Sequence, residues 1–208
     1  MAPRSYRMDR REAMAAKTRA RILAAARKTL MSPDASRGFS IDAIASEAGV
    51  SRMTVYYQFQ SKRGLLEALF DDLAAKGGVG RLPDSFQQPD PLDALAGFIR
   101  VFFGFWASGR LPIRRLHGMG VMDPDLEAAL RTREEWRRHG LRVIVRRIQE
   151  RHAAPRSIAA NDAVDVLFTL TSFETFDALA RGRSPRAVAG LVQRVALSVL
   201  GIGPEERG

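Results

Sequence analysis

Residues 39–66 read FSIDAIASEAGVSRMTVYYQFQSKRGLL, and their pattern decides how the chain is understood. Ile41, Ile44, Ala45 and Ala48 recur at helical spacing and give one apolar face. Ser40 precedes them as an N-cap, its hydroxyl able to take an orphan backbone N–H. Gly49 follows, where a left-handed residue ends a helix without steric conflict. The spacing predicts a short helix over residues 40–48, a turn plugged by Val50, and a second short helix capped by Ser51. Val55 and Phe59, four residues apart, point inward from that second helix. Met53 and Tyr57 point roughly opposite, with Thr54 and Tyr56 on the flanks. A helix held by two inward residues, with the rest shown to solvent, is built to enter something. Two short helices around a glycine turn fit a helix-turn-helix over about residues 40–59, whose second helix enters the DNA major groove.

Working outward, Ser61 caps a further helix in which Leu65, Leu66, Leu69, Phe70 and Leu73 repeat at helical spacing. Its start, Ser61-Lys62-Arg63, joins backbone N–H groups to two cations and suits a phosphate. Upstream, residues 10–31 form a helix with Ile22, Leu23, Ala26 and Leu30 inward; Ser32-Pro33-Asp34, with Gly38 behind, ends it. Residues 1–9, with Arg4 and Arg7, show no periodicity and are read as a basic arm. Residues 1–63 hold 13 Lys/Arg against 5 Asp/Glu, and residues 64–208 hold 20 against 18. Most of the net charge of +10 therefore travels with the helix-turn-helix, the electrostatic footprint of nucleic-acid binding.

The totals exclude other classes. No run of about 18 uncharged apolar residues exists, so no membrane span is expected. The basic N-terminus lacks an apolar core of the secretory kind, and the absence of cysteine excludes disulfides and thiolate metal sites. A cytoplasmic protein is expected. No nucleophile–base pair, phosphate-cradling glycine loop or cofactor fingerprint stands out, so the chain is not read as an enzyme and no cofactor is expected. His117, His139 and His152 show no metal-ligand spacing, so no metal is expected either.

Residues 77–91, rich in glycine and proline, read as a linker between a DNA-binding domain (1–76) and a second helical domain (77–208). The fold class is all-α throughout. In the second domain the pattern predicts a helix from residue 90 or 91 to about 108 and a short one from 111 to about 118. A long helix over about 124–152, another over about 160–181, and a last one from the Ser184-Pro185 cap to about residue 200 follow. On the long helix, Glu134 and Arg137 fall on the apolar stripe, so either the helix bends near Gly140 or a charged pair faces inward. Phe98, Phe102, Phe105 and Trp106 share a helix face, and Phe168, Ser172 and their neighbours offer an apolar wall with a few polar groups. This mixture suits a hydrophobic or aromatic small molecule, with ordinary core packing as the plain alternative. Glu134 and Arg137 are either anchors for such a ligand or an (i, i+3) ion pair, and His117 is a pocket-mouth residue or a loop histidine. The last two helices, about residues 160–202, carry more apolar surface than one small bundle needs, which a homodimer interface would use.

Ile44-Ala45, Ala48-Gly49-Val50-Ser51, Val55-Tyr56, Phe59, Lys62 and Leu65-Leu66 together resemble the DNA-binding signature of the TetR family of bacterial transcriptional regulators. The resemblance covers roughly residues 15–75; beyond that only the helical layout matches. Gln58 stands where the family often has His. The resemblance implies DNA contacts from Ser40, Ser51, Arg52, Met53, Thr54, Tyr56, Tyr57 and Lys62. Ser40, Tyr56 and Lys62 would hold phosphates, while Arg52, Met53, Thr54 and Tyr57 would face base edges or sugars. Side-chain chemistry agrees: Arg reads guanine, and Thr and Met methyls pack on the thymine methyl. The resemblance further implies a homodimer on an inverted-repeat operator in double-stranded DNA, and repression relieved by a small-molecule effector. An activator, or a ligand-independent DNA-binding protein of the same fold, is the alternative.

Overall fold

The computed structural model describes residues 4–32, 39–152 and 158–203, with side chains from residue 10 onward. Every regular element among them is helical. In chain order these are α1 (Arg4–Met31), α2 (Ile41–Ala48), α3 (Arg52–Phe59), α4 (Lys62–Lys76), a 3-10 turn (Val79–Arg81) and α5 (Leu82–Phe86). They continue with α6 (Pro91–Ser108), α7 (Arg110–Gly120), α8 (Pro124–Arg151), α9 (Ala160–Leu170), α10 (Phe173–Leu179) and α11 (Pro185–Val199). The chain divides into two compact units: Met1–Asp72 with Leu111–Glu127, and Leu73–Arg110 with Ala128–Gly208.

In the first unit α1 packs on α2, and α2 on α3. Ile22, Ala26 and Leu30 of α1, Ile44 of α2, Val55 and Phe59 of α3, and Leu65, Leu66 and Leu69 of α4 are all buried, as the sequence pattern requires. Each fully buried side chain of this size contributes about 1.5–3 kcal/mol, enough in sum to hold helices too short to persist alone. Residues 4–9 continue α1 and are not a free arm; the flanking Met8, Arg10, Arg11, Glu12 and Ala13 include no breaker and are mostly strong helix formers. The expected breaker after α1 falls at Pro33–Gly38, outside the described residues. Within this unit the Arg115 guanidinium of α7 donates to the carbonyls of Leu30 and Ser32, satisfying the end of α1.

The second unit is built around α6, which packs against α5, α10 and α11. Asp90 caps it, its carboxylate accepting from the Leu92 N–H at 2.8 Å, with Pro91 at the first helical position. The expected linker is partly helical: Pro83 and Asp84 sit in the first turn of α5, where a fixed φ and a negative charge both favour a helix start. The expected helix over 160–181 is two helices. Thr171 ends α9 by turning its hydroxyl back to the Leu167 carbonyl at 2.8 Å, and Ser172 caps α10 by accepting from the Thr175 N–H at 3.1 Å. The carbonyls freed at the break are taken from a distance, Phe168 O by Arg137 at 2.6 Å and Thr171 O by the Trp106 indole at 3.1 Å. On α8 Arg137 faces inward alone: Glu134 is only half-buried, so one charge and not the expected pair is buried. Gly140 lets α8 lie close to Phe86 and Phe98, where an added Cβ would stand 3.0 Å from each ring. Leu197 and Leu200, off the main stripe of α11, are buried within the chain, whereas Val195 remains 39% exposed.

Candidate nucleic-acid interface

The turn between α2 and α3 is set by local chemistry. Ser40 accepts from the Ala43 N–H at 3.2 Å to start α2. Gly49 ends it at φ 62°, ψ 42°, its N–H directed to the Ala45 and Ser46 carbonyls, and the Val50 N–H returns to Ala45 O at 2.9 Å. These paired bonds form the glycine-terminated helix end that reverses the chain. Ser51 then caps α3, its hydroxyl accepting from the Thr54 N–H at 3.1 Å and sharing a 2.9 Å bond with the Thr54 hydroxyl. The Thr54 hydroxyl is therefore engaged within the turn, leaving its methyl as the group available to a base.

Only Val55 and Phe59 of α3 are buried. Tyr57 is 85% exposed and Met53 74%. Large apolar side chains one turn apart and free of the core make a surface for contact, not for stability. Beside them, Arg52 Nε lies 3.0 Å from Asp42 Oδ1 of α2. A hydrogen bond with the Tyr56 hydroxyl, reinforced by Asp42, holds the Arg52 guanidinium above its ordinary range. Arg52 is thus parked across the two helices on an exposed acid, an ion pair weak enough in water to be exchanged for a guanine edge. Lys62, at the start of α4, is exposed and forms no ion pair among the described residues. Its neighbour Arg63 is drawn to Glu67 at 3.3 Å and Asp125 at 3.7 Å, which leaves Lys62 the freer cation for a phosphate. Ser40, Ser51, Arg52, Met53, Tyr56 and Tyr57 are all exposed on α2, α3 and their caps, with Thr54 half-buried among them.

Two further features position α3. The Arg19 guanidinium of α1 donates to the Gln58 carbonyl at 2.8 Å and stacks 4.3 Å above the Phe59 ring. It meets α3 where the helix dipole favours a cation. At the same end Gln60 adopts φ 65°, ψ −39°, a left-handed γ-turn closed by the Ser61 N–H on Phe59 O at 2.7 Å. Gly64 admits that carbonyl: a Cβ there would stand 2.2 Å from Phe59 O. Arg19 carries no local sequence signal for this role, because its partners Gln58 and Phe59 lie about 40 positions away.

The second unit holds the other predicted residues. Phe98, Phe102, Phe105 and Trp106 are brought together, but as core. Their rings form a chain of tilted contacts: Phe98–Phe102 at 4.7 Å, Phe102–Trp106 at 5.9 Å and Phe105–Trp106 at 4.5 Å between centroids. Trp106 continues to Phe173 at 5.6 Å, edge to face. Arg137 is 5% exposed and bonds the Thr171 hydroxyl at 2.8 Å, its guanidinium 3.9 Å from the Phe168 ring. Burial pushes its pKa down to about 10, against the nearby charges of Glu134 and Glu174. Arg137 is therefore a buried tie between α8 and the α9–α10 break, not one half of a surface ion pair. Phe168 is half-buried between Arg137 and Arg138, and Ser172 is the α10 cap. His117 lies on α7 in the first unit.

With that geometry in view, residues 22–69 match the family described as bacterial regulatory proteins, tetR family. The chain carries a TetR-family DNA-binding domain. The TetR-like fold extends over nearly all of the chain. The structure is similar to the TetR family transcriptional regulator PfmR from Thermus thermophilus, with 22% identity, TM-score 0.62, and 88% of this chain and 98% of that one covered. It is similar to the transcriptional regulator FadR from Bacillus subtilis in complex with stearoyl-CoA, at 17% identity and TM-score 0.70, covering 88% and 99%. It also resembles a protein from Saccharomonospora viridis in complex with choline, at 17% identity and TM-score 0.66, covering 86% and 95%. A search of curated proteins finds no match. At these identities the structural likeness speaks for the fold, and the TetR-type helix-turn-helix assigns α2 and α3 to DNA binding in transcriptional regulation. No single helix among the described residues is long and apolar enough to cross a membrane.

Proposed function

We propose that this chain is a transcriptional repressor that binds an inverted-repeat operator as a homodimer and is released by a small-molecule effector. The observation that carries this reading is the exposed face of α3. Met53 and Tyr57 project from a helix that keeps only Val55 and Phe59 for the core, with Arg52 beside them and Lys62 at the next helix start. In this role Arg52, Met53, Thr54 and Tyr57 read base edges, while Ser40, Ser51, Tyr56 and Lys62 hold the backbone. Two copies place their α3 helices in successive major grooves, about 34–36 Å apart. The homodimer uses α9 to α11, where Val195 stays exposed beside half-buried Leu191 and Val199. The effector reading is supported by similarly folded proteins in complex with stearoyl-CoA and with choline. An effector releases DNA only if it prefers the protein state whose helix spacing does not fit the operator.

The test is selection of bound sequences from random duplex DNA, followed by footprinting. An inverted repeat protected over two half-sites one helical turn apart is the expected result. Absence of any enriched sequence refutes specific DNA binding, and enrichment of a single half-site refutes the dimer.

A further inference from the structure

We infer that the cleft beside Gly104 in the second unit binds a small organic carboxylate carrying a hydrogen-bond donor; as the effector site, it rests on the regulator reading above. The cleft is open to solvent and offers about 400 Å³ between the 77–88 connection and α6, a volume within the range of small-molecule sites.

Three observations point to a ligand. Arg81 and Arg100 line the cleft, both exposed, and neither guanidinium has an ion pair or hydrogen bond among the described residues. Ser85 lines it too, 5% exposed, and its hydroxyl has no hydrogen-bond partner among the described residues. The hydroxyl oxygen itself is not sealed from solvent, so it is open to bond what enters the cleft. Gly104 stands in the middle of α6, where alanine would make the better helix. Nothing lies within 4 Å of a Cβ placed there. Neighbouring Gly97 differs, since its added Cβ would meet the Ser85 hydroxyl at 2.7 Å. Packing thus requires glycine at 97 and leaves it unexplained at 104, unless the wall is kept bare for what enters.

The charges choose the chemistry. Two guanidiniums present forks that fit a carboxylate. Asp84, on the same wall, disfavours a polyanion and accepts from a ligand hydroxyl or ammonium. The Ser85 hydroxyl can give or accept.

The test uses the full chain, with lactate, 4-hydroxybutyrate and 6-hydroxyhexanoate as probes and their amides as uncharged controls. Calorimetry is expected to show saturable binding of at least one carboxylate, at least tenfold tighter than its amide. Arg100→Gln and Gly104→Met should each weaken it at least tenfold while the helical circular dichroism is unchanged, because methionine favours the helix more than glycine does. Saturable binding by none of the three acids, or binding untouched by Gly104→Met, overturns the proposal. Selected-DNA binding measured on the same preparation keeps the two readings apart: its loss would sink the regulator, and its persistence without carboxylate binding would sink the cleft alone.

Discussion

Replacing Arg19 with methionine isolates what holds the recognition helix in place. Arg19 donates to the Gln58 carbonyl at 2.8 Å and lies 4.3 Å above the Phe59 ring. A hydrogen bond from a charged donor contributes about 1.5–3 kcal/mol. A cation over a partly open aromatic face adds about 0.5–1 kcal/mol. Methionine keeps the packing of the aliphatic stem, and water recovers part of the carbonyl's bonding, so about 2 kcal/mol of local stability should be lost. That corresponds to roughly a thirtyfold rise in the opening of the last turn of α3. Amide hydrogen exchange reads it directly at the Gln60 N–H, which is bonded to Tyr56 O at 2.7 Å. The amides of α2 should change little, and operator affinity should fall together with the protection of α3. Arg19→Lys retains the charge without the fork, and separates long-range attraction to DNA from the clamp. Exchange at Gln60 within twofold of the parent protein would refute the clamp.

Tyr57→Ala should weaken specific operator binding about tenfold or more, by the 1–3 kcal/mol typical of a base contact. The melting temperature should hold, because Tyr57 is 85% exposed; an unchanged footprint removes α3 from the recognition surface. Lys62→Ala should lower affinity for all sequences alike and reduce the salt slope by about one, and an unaltered slope takes Lys62 off the phosphate. Val195→Asp should shift sedimentation towards a monomer, and an intact dimer would put the interface elsewhere. Burial lowers the Arg137 pKa to about 10, below the ordinary guanidinium range, so above about pH 10 the unfolded chain binds the extra proton. The parent protein should therefore gain stability relative to Arg137→Met as pH rises above about 10, with a flat difference below about 10. Parallel chemical-denaturation curves across that window would show that Arg137 is not depressed.

Features written in nearest-neighbour chemistry were legible in the sequence. Ser40, Gly49 and Ser51 set helix ends through bonds to residues within five positions, so reading them needs no knowledge of the rest of the fold. The inward pair Val55 and Phe59 follows from helical spacing in the same way. Features that depend on distant partners were not legible. The break at Thr171 stands because Arg137 and Trp106, 34 and 65 residues away, take up its polar groups; the local sequence reads as one continuous apolar helix. Arg137 was ambiguous for the same reason, since only its burial decides between an ion pair and an internal tie. Residues 79–86 misled in the opposite direction. Their glycine and proline content suggested a linker, while Pro83 and Asp84 occupy positions that start a helix. In the candidate interface the exposed face of α3 was visible, but its supports were not, because Arg19 acts across 39 positions on Gln58.

The left-handed turn at Gln60 and the bare backbone of Gly64 have a mechanical meaning. Where α3 meets α4, the Phe59 carbonyl lies against Gly64 and also closes the turn through Ser61, so two contacts constrain the junction. Such a joint couples the two helices. A displacement at the start of α4 would then carry the exposed face of α3 with it. A signal that controls DNA binding would therefore steer the pair as one lever.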